Sequence, residues 1–414
     1  MTNTKLFCII KIENVQTQES EVLIMIVKQM AELTNNITKE LLGETGLINE
    51  DLSNIVDVGK QILDVTSVDN YCKTLIDQIG KMDWGVRSYR GKFVSVMRDA
   101  WEWGSVRMRI DMPDLPNAVE NKSWDLNDGE TYDQNVFHKP VVTAKFYNSK
   151  TTFEVDMSYT ELQVKESLQS PAQYIAFVGM IRTAIDNSIT LKTEAMVKRT
   201  INNMIAETVA DAFGTKTPDY TAVGNTRCVN LLKMYNTEFT KTLTPAAAIK
   251  DPDFLRYAAL IMGLYIDRLT DESKLFNIGA SSKFTPADKL HVIMLSEFKR
   301  GANVYLYGNN GEFKAAEYAA LPNSETIAAW QGTGTDYGFA STSKIDVKDG
   351  SGHTVVFSGI LAVMFDHEAL GVCNENKRTR VHVNDKAEFI NEFTKVDCTY
   401  WNNMNENFVV FYVA

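Results

Sequence analysis

The chain has 414 residues, 44% hydrophobic and 23% charged, with a net charge of −11. That length exceeds one ordinary core and predicts two or three packed units. The acidity argues against tight duplex binding, which needs a basic patch, and no run approaches the roughly 18 apolar residues of a membrane helix.

Five cysteines (Cys8, Cys72, Cys228, Cys373, Cys398) are dispersed without a CxxC pair. This argues against a disulfide framework or local zinc site and predicts reduced thiols. The apolar runs at 7–10 and 23–27 are short and no small-residue cleavage site follows, so no signal peptide is expected.

Residues 1–80 read as an arm. Helical spacing covers 25–42 and 54–80, broken at Gly43 and Gly46. The first 60 residues hold nine acids against five lysines. The first 24 differ from the rest, and Met25 is a candidate start that the intact mass of native protein would test.

Residues 81–135 change character. Trp84, Trp101 and Trp103 lie among Arg87, Arg90, Lys92, Arg98, Arg107 and Arg109. Val94, Val96 and Met97, then Val106, Met108 and Ile110, alternate as strands do. From 111 to 133 the sign reverses, with seven acids against Lys122, among the turn residues Pro113, Pro116, Asn127 and Gly129. A basic, aromatic limb and an acidic tip predict a projecting hairpin. It has too few aliphatics for its own core, so another surface must cover its aromatic side.

Two short strands are expected at 141–147 and 151–157. Ser170 suits an N-cap and Pro171 the first helical position. Tyr174, Val178, Ile181, Ile185 and Ile189, then Val197, Ile201, Ile205 and Val209, keep helical register, and Gly214 is placed for a C-cap. The spacing predicts one helix over 171–213, about 65 Å long. Beyond it, 225–239 and 253–269 read as helices. Residues 290–298, 304–307 and 355–365 read as buried strands. Gly332, Gly334, Gly338, Gly350 and Gly352 mark loops, and 407–413 is a last strand tied into a sheet.

The five histidines (His138, His291, His353, His367, His382) form no HxxxH or HExxH pattern. His367, flanked by Asp366 and Glu368, is the best metal candidate, but neighbours on a strand point to opposite faces. The glycines at 332–338 fit neither a dinucleotide loop nor a P-loop, and there is no GxSxG elbow. No catalytic, cofactor or metal site is expected. The basic, aromatic stretch at 84–109 has two readings, a nucleic-acid groove or an inter-subunit arm. The adjoining acidic tip repels phosphates and favours the arm, its basic limb meeting an acidic surface of the next copy.

In order, the chain has an acidic arm, a hairpin, two strands, a very long helix, an α/β unit and a terminal strand. This resembles the Hong Kong 97-type major capsid fold of tailed phages, an α+β fold, over nearly the whole chain. The stretch from Val136-Phe137 to Ser158-Tyr159-Thr160-Glu161-Leu162 resembles its peripheral strands leading to the spine helix. The run Asp288-Lys289-Leu290-His291-Val292-Ile293-Met294-Leu295 is similar to an axial-domain strand, and Asn407 to Val413 to the final strand. Small podoviruses show the most similar stretch.

The resemblance implies an N-terminal arm at 1–83, an extended loop at 84–140, and a peripheral domain at 141–222 containing spine helix 171–213. It implies an axial domain at 223–375 and a return to the peripheral domain at 376–414. It further implies a non-enzymatic shell subunit forming pentamers and hexamers around double-stranded DNA, assembled in the host bacterial cytoplasm, with a separate scaffolding protein, a portal protein and no membrane. Trp84, Arg87, Arg90, Trp101, Trp103, Arg107 and Arg109 are the expected inter-subunit contacts. An encapsulin-type nanocompartment shell and a soluble α/β binding protein are the alternatives.

Overall fold

The computed structural model describes residues 31–32, 34–40, 48–49, 53–65, 74, 93–98, 107–116, 118–121, 127–131, 135–167, 171–214, 222, 224–307, 321–331, 338–348, 350–384 and 386–414. Trp84, Arg87, Arg90, Trp101 and Trp103 lie outside these residues, as do Cys8, Cys72, Ser170, Gly332 and Gly334.

The elements run as follows: α1 (Ile55–Val65), β1 (Arg107–Asp111), β2 (Thr143–Tyr147), β3 (Lys150–Thr160), α2 (Glu161–Ser167), α3 (Pro171–Phe213), β4 (Cys228–Asn230) and α4 (Leu231–Glu238). Then come α5 (Pro245–Ala248), α6 (Pro252–Thr270), β5 (Leu290–Leu295), α7 (Ser296–Tyr307), β6 (Ser324–Ile327), α8 (Phe339–Thr342), β7 (Ile345–Lys348) and β8 (Thr354–Phe357). The last are β9 (Ile360–Asp366), β10 (Leu370–Asn384), β11 (Phe389–Asn402) and β12 (Phe408–Tyr412).

Helix α3 has the expected limits. Val178, Ile181, Ile185, Ile189, Val197, Ile201, Ile205 and Val209 are all buried, so one register carries a continuous apolar stripe. Gly214 ends it in the left-handed region at φ +59°, its N–H donating to Ala210 O at 2.9 Å.

Five expectations are corrected. Residues 304–307 are the last turn of α7, and exposed Val304 and Tyr305 are not strand core. Strand β5 stops at Leu295, where α7 begins. The 355–365 run is two strands, parted at Gly359 (φ +81°), where a Cβ would stand 2.0 Å from Val413 O. Residues 94–97 form a turn with a single bridge rather than an alternating strand. The 225–239 segment begins as strand β4; the Asn230 side chain then accepts from Lys233 N–H and caps α4.

The chain divides into two compact units. One comprises 1–91, 151–193 and 374–398, and holds most of a three-stranded sheet in the order β10-β11-β3. Tyr159 of β3 meets Phe177 of α3 edge to face, with centroids 5.8 Å apart.

The other comprises 92–150, 194–373 and 399–414. Its five-stranded sheet has the order β4-β12-β9-β5-β6. Strand β12 runs parallel to β4 and antiparallel to β9, and β5 runs parallel to β6. Every residue of β9 and β12 is buried, as in a sheet covered on both faces. Tyr235, Phe239, Phe254 and Tyr257 pack α4 against α6. The terminal strand is thus tied into a sheet, the one it shares with β4, β9, β5 and β6.

Among the described residues no helix is long and apolar enough to cross a membrane, and no group of His, Cys, Asp or Glu is arranged for a metal ion. Cys228, Cys373 and Cys398 are buried, and burial pushes the Cys228 thiol up.

Candidate functional site

Strands β1 and β2 pair antiparallel, Met108 opposite Phe146 and Ile110 opposite Ala144. Alternation gives this ribbon two faces. One carries Arg107, Arg109, Asp111, Lys145 and Tyr147, the other Met108, Ile110, Ala144 and Phe146.

The charged face turns inward. Arg107 Nη2 and Arg109 Nη1 both donate to Glu368 Oε2, at 2.8 and 2.9 Å. Arg109 Nε also reaches Asp111 Oδ1 at 3.0 Å, and its remaining nitrogen bonds Glu406. Lys283 Nζ completes the cluster, 3.3 Å from Asp111 and 3.1 Å from Glu406. Lys145 Nζ donates to Asn405 Oδ1 at 2.7 Å. The Arg107 guanidinium lies 4.3 Å from the Trp401 ring centroid, a cation–π contact. Beneath that ring, Gly371 supplies the space, since a Cβ there would be 2.0 Å from Trp401 Cζ2.

Burial raises every carboxyl in the cluster, and the cations decide the outcome. Burial pushes Asp111 up, but the hydrogen bond and charge of Arg109, with Lys283, hold it below the usual range. Glu368 is likewise pushed up by burial and drawn lower overall by Arg107 and Arg109. For Glu406, burial outweighs Arg109 and Lys283 and the carboxyl stays raised. Burial lifts Tyr147 to about 12.

A second clasp holds residues 93–98. Arg98 Nη1 donates to the carbonyls of Ser95 (2.8 Å) and Met97 (3.0 Å), and Nη2 to those of Leu370 (2.9 Å) and His367. Arg98 N–H donates to Val372 O at 2.9 Å, and Val372 N–H returns to Val96 O at 3.0 Å. Beside it, His291 Nε2 and His367 Nδ1 are 3.1 Å apart. Burial lowers the His291 imidazole to about 4, helped by His367 and Arg98. The metal candidate at His367 therefore has a histidine and an arginine for neighbours, and Asp366 is engaged by Thr285.

The apolar face turns outward. Met108, Ile110 and Phe146 are 51%, 60% and 63% exposed. In the chain between the two strands, Leu115, Val119, Val136 and Phe137 are exposed as well. Of the seven expected contact residues, Arg107 and Arg109 are described, and both engage acids of their own chain rather than projecting freely. The apolar face was the feature sequence reasoning missed. Its signal is the Met108, Ile110 alternation, which fixes two faces without saying which points in.

A ribbon fastened by its ions with its apolar side bare, a 43-residue helix and a buried mixed sheet make up a Hong Kong 97-type capsid fold. The structure is similar to the capsid structure of Staphylococcus phage Andhra, with TM-score 0.50 and 10% identity, over 78% of this chain and 84% of that one. It also matches the capsid structure of cyanophage P-SCSP1u, with TM-score 0.41 and 12% identity, over 82% and 94%. No curated protein matches the sequence.

The family of Phi29-like phage major capsid proteins matches residues 34–412, and the chain belongs to that family. It is a bacteriophage major capsid protein, a constituent of the virion shell, and a cellular nanocompartment is not favoured.

Proposed function

We propose that the loop rooted on β1 and β2 is the arm by which each copy grips the next, building pentamers and hexamers of an icosahedral head around double-stranded DNA. Weak contacts repeated around a ring become strong through multivalency, and head-to-tail contacts close such rings. Assembly in the host cytoplasm on a separate scaffolding protein, with a portal protein at one vertex, completes this reading. The net charge of −11 suits a wall that must not adhere to phosphates. The role is structural, without catalysis.

One observation carries the arm: the β1–β2 ribbon buries its charged face in its own chain and exposes Met108, Ile110 and Phe146. That inversion costs solubility unless a partner covers the apolar side. Covering the exposed 63% of Phe146 removes about 125 Å² from water, worth about 3 kcal/mol per contact. Met108→Asp/Phe146→Asp protein is expected to stay folded and to form no particles by sedimentation and electron microscopy. Normal particle yield from that variant would refute the arm.

A further inference from the structure

Within the unit that holds 151–193 and 374–398, a pocket of about 310 Å³ lies between α3 and β10. In a regular strand successive side chains alternate faces. Here Asn374, Glu375, Asn376 and Lys377 all line the pocket. Asn376 turns the strand there at φ +46°, a conformation asparagine tolerates. Arg182 and Asp186 line it from α3, with Ile189 and Val396 as an apolar wall.

The charges around it are unevenly shared. Arg182 Nε donates to Asp186 Oδ2 at 2.6 Å, one turn along the helix, and Lys377 Nζ donates to Asp186 Oδ1 at 3.0 Å. Both cations close on one carboxylate. Glu375 is only 7% exposed, and its carboxylate has no hydrogen-bond or ion-pair partner among the described residues. Glu392 is buried nearby. Burial pushes it up, against the hydrogen bonds of Thr394 and Tyr159 and the charges of Lys377 and Arg182. A carboxylate this far from water needs a cation or donors, and the described residues supply neither to Glu375.

We infer that this pocket binds a small aliphatic amine as its ammonium ion, with Glu375 as counter-ion, Asn376 as amide acceptor, and Ile189 and Val396 against the methylenes. An ammonium head carries three donors, enough for a carboxylate and an amide oxygen together. The volume is at the low end for ligand pockets, which run from about 300 to 1,000 Å³, so the ligand has few carbons. A divalent metal fits poorly. Arg182 and Lys377 line the same pocket and repel a double charge more than a single one. Among the described residues no group of His, Cys, Asp or Glu is arranged for a metal. An anion fits no better, because both cations already close on Asp186.

The probe is putrescine, applied to purified DNA-free shells because DNA itself collects cations. Equilibrium dialysis in a constant background of potassium chloride is expected to show saturable uptake of no more than one per chain. Glu375→Gln removes the charge at nearly constant size. It is expected to weaken uptake about tenfold or more, the loss of one hydrogen bond to a charged group. Glu388→Gln, at an exposed acid in the turn between β10 and β11, is expected to bind as wild type. Uptake that does not saturate, or equal uptake by Glu375→Gln, would overturn the site. If magnesium at equal concentration displaces all the putrescine, the pocket takes inorganic cations and the assignment is wrong.

Hydrogen exchange of wild-type shells covers a variant that fails to fold. Putrescine is expected to slow exchange in peptides covering 182–190 and 374–377, while potassium chloride of equal ionic strength is not. The same exchange with either salt would refute the ligand.

Discussion

Arg109→Leu removes a side chain that reaches Asp111, Glu368 and Glu406 together, which no other described residue does. The Asp111 and Glu406 side chains are only 8% and 5% exposed, so they lose their main cation away from water. Stripping one partner from a buried ion pair costs about 3–5 kcal/mol. Lys283 remains beside both carboxylates, so the lower figure, about 3 kcal/mol, is expected. Local opening of the ribbon then becomes about 100-fold more frequent, which hydrogen exchange of peptides covering 107–111 and 143–147 reads as lost protection.

The pH dependence has a definite sign. Asp111 is depressed in the fold, so its contribution is present above the ordinary carboxylate range and lost as pH falls through the folded value. Glu406 is raised, so its contribution is present at low pH and lost as pH rises through the folded value. In Arg109→Leu both carboxyls move up, so the penalty is largest near neutrality and shrinks as they protonate. Unchanged protection at neutral pH, or a penalty that persists on acidification, would refute the brace.

Two further predictions follow from neighbouring residues. Gly371→Ala places a methyl 2.0 Å from the Trp401 ring. Overpacking of that kind costs about 1–3 kcal/mol, and the displaced ring, now 4% exposed, is expected to red-shift its emission; an unshifted spectrum and melt would contradict the packing. His291→Phe removes an imidazole that burial lowers to about 4. A depressed base gives stability above its ordinary pKa that is lost as pH falls toward the folded value, so the variant is expected to lose less stability between about pH 6.5 and pH 4 in denaturant titrations. Parallel curves for the two proteins would argue against a neutral His291.

Helix α3 was legible in the sequence because its apolar stripe repeats without interruption and its C-terminal glycine sits where the left-handed turn requires one. Strand β12 was legible as an apolar run too short for a helix. Strand β4 was not, because three residues show no period before Asn230 starts a helix. The last turn of α7 misled because Val304, Tyr305, Leu306 and Tyr307 are consecutive apolar residues, the pattern of a buried strand, yet Val304 is 65% exposed. The root cluster gathers Arg107, Lys283, Glu368 and Glu406 from distant parts of the chain, and no local spacing encodes that meeting. The alternation of the ribbon was visible but its sidedness was not, since the period fixes two faces and only tertiary packing decides which of them meets the acids of the root.

Strand β12 has a consequence for how the subunit is made. It is the last strand in the sequence, yet it lies between β4 and β9. On the ribosome, β4 emerges about 180 residues before the strand that joins it to the sheet, an interval of roughly 10–35 s at ordinary synthesis rates. Throughout that wait the sheet is open at its middle and β9 lacks one flank. Such long-range closure is slow and exposes sticky edges. A chain cut short before residue 408 lacks the strand that joins β4 to β9, and with it the middle of this sheet.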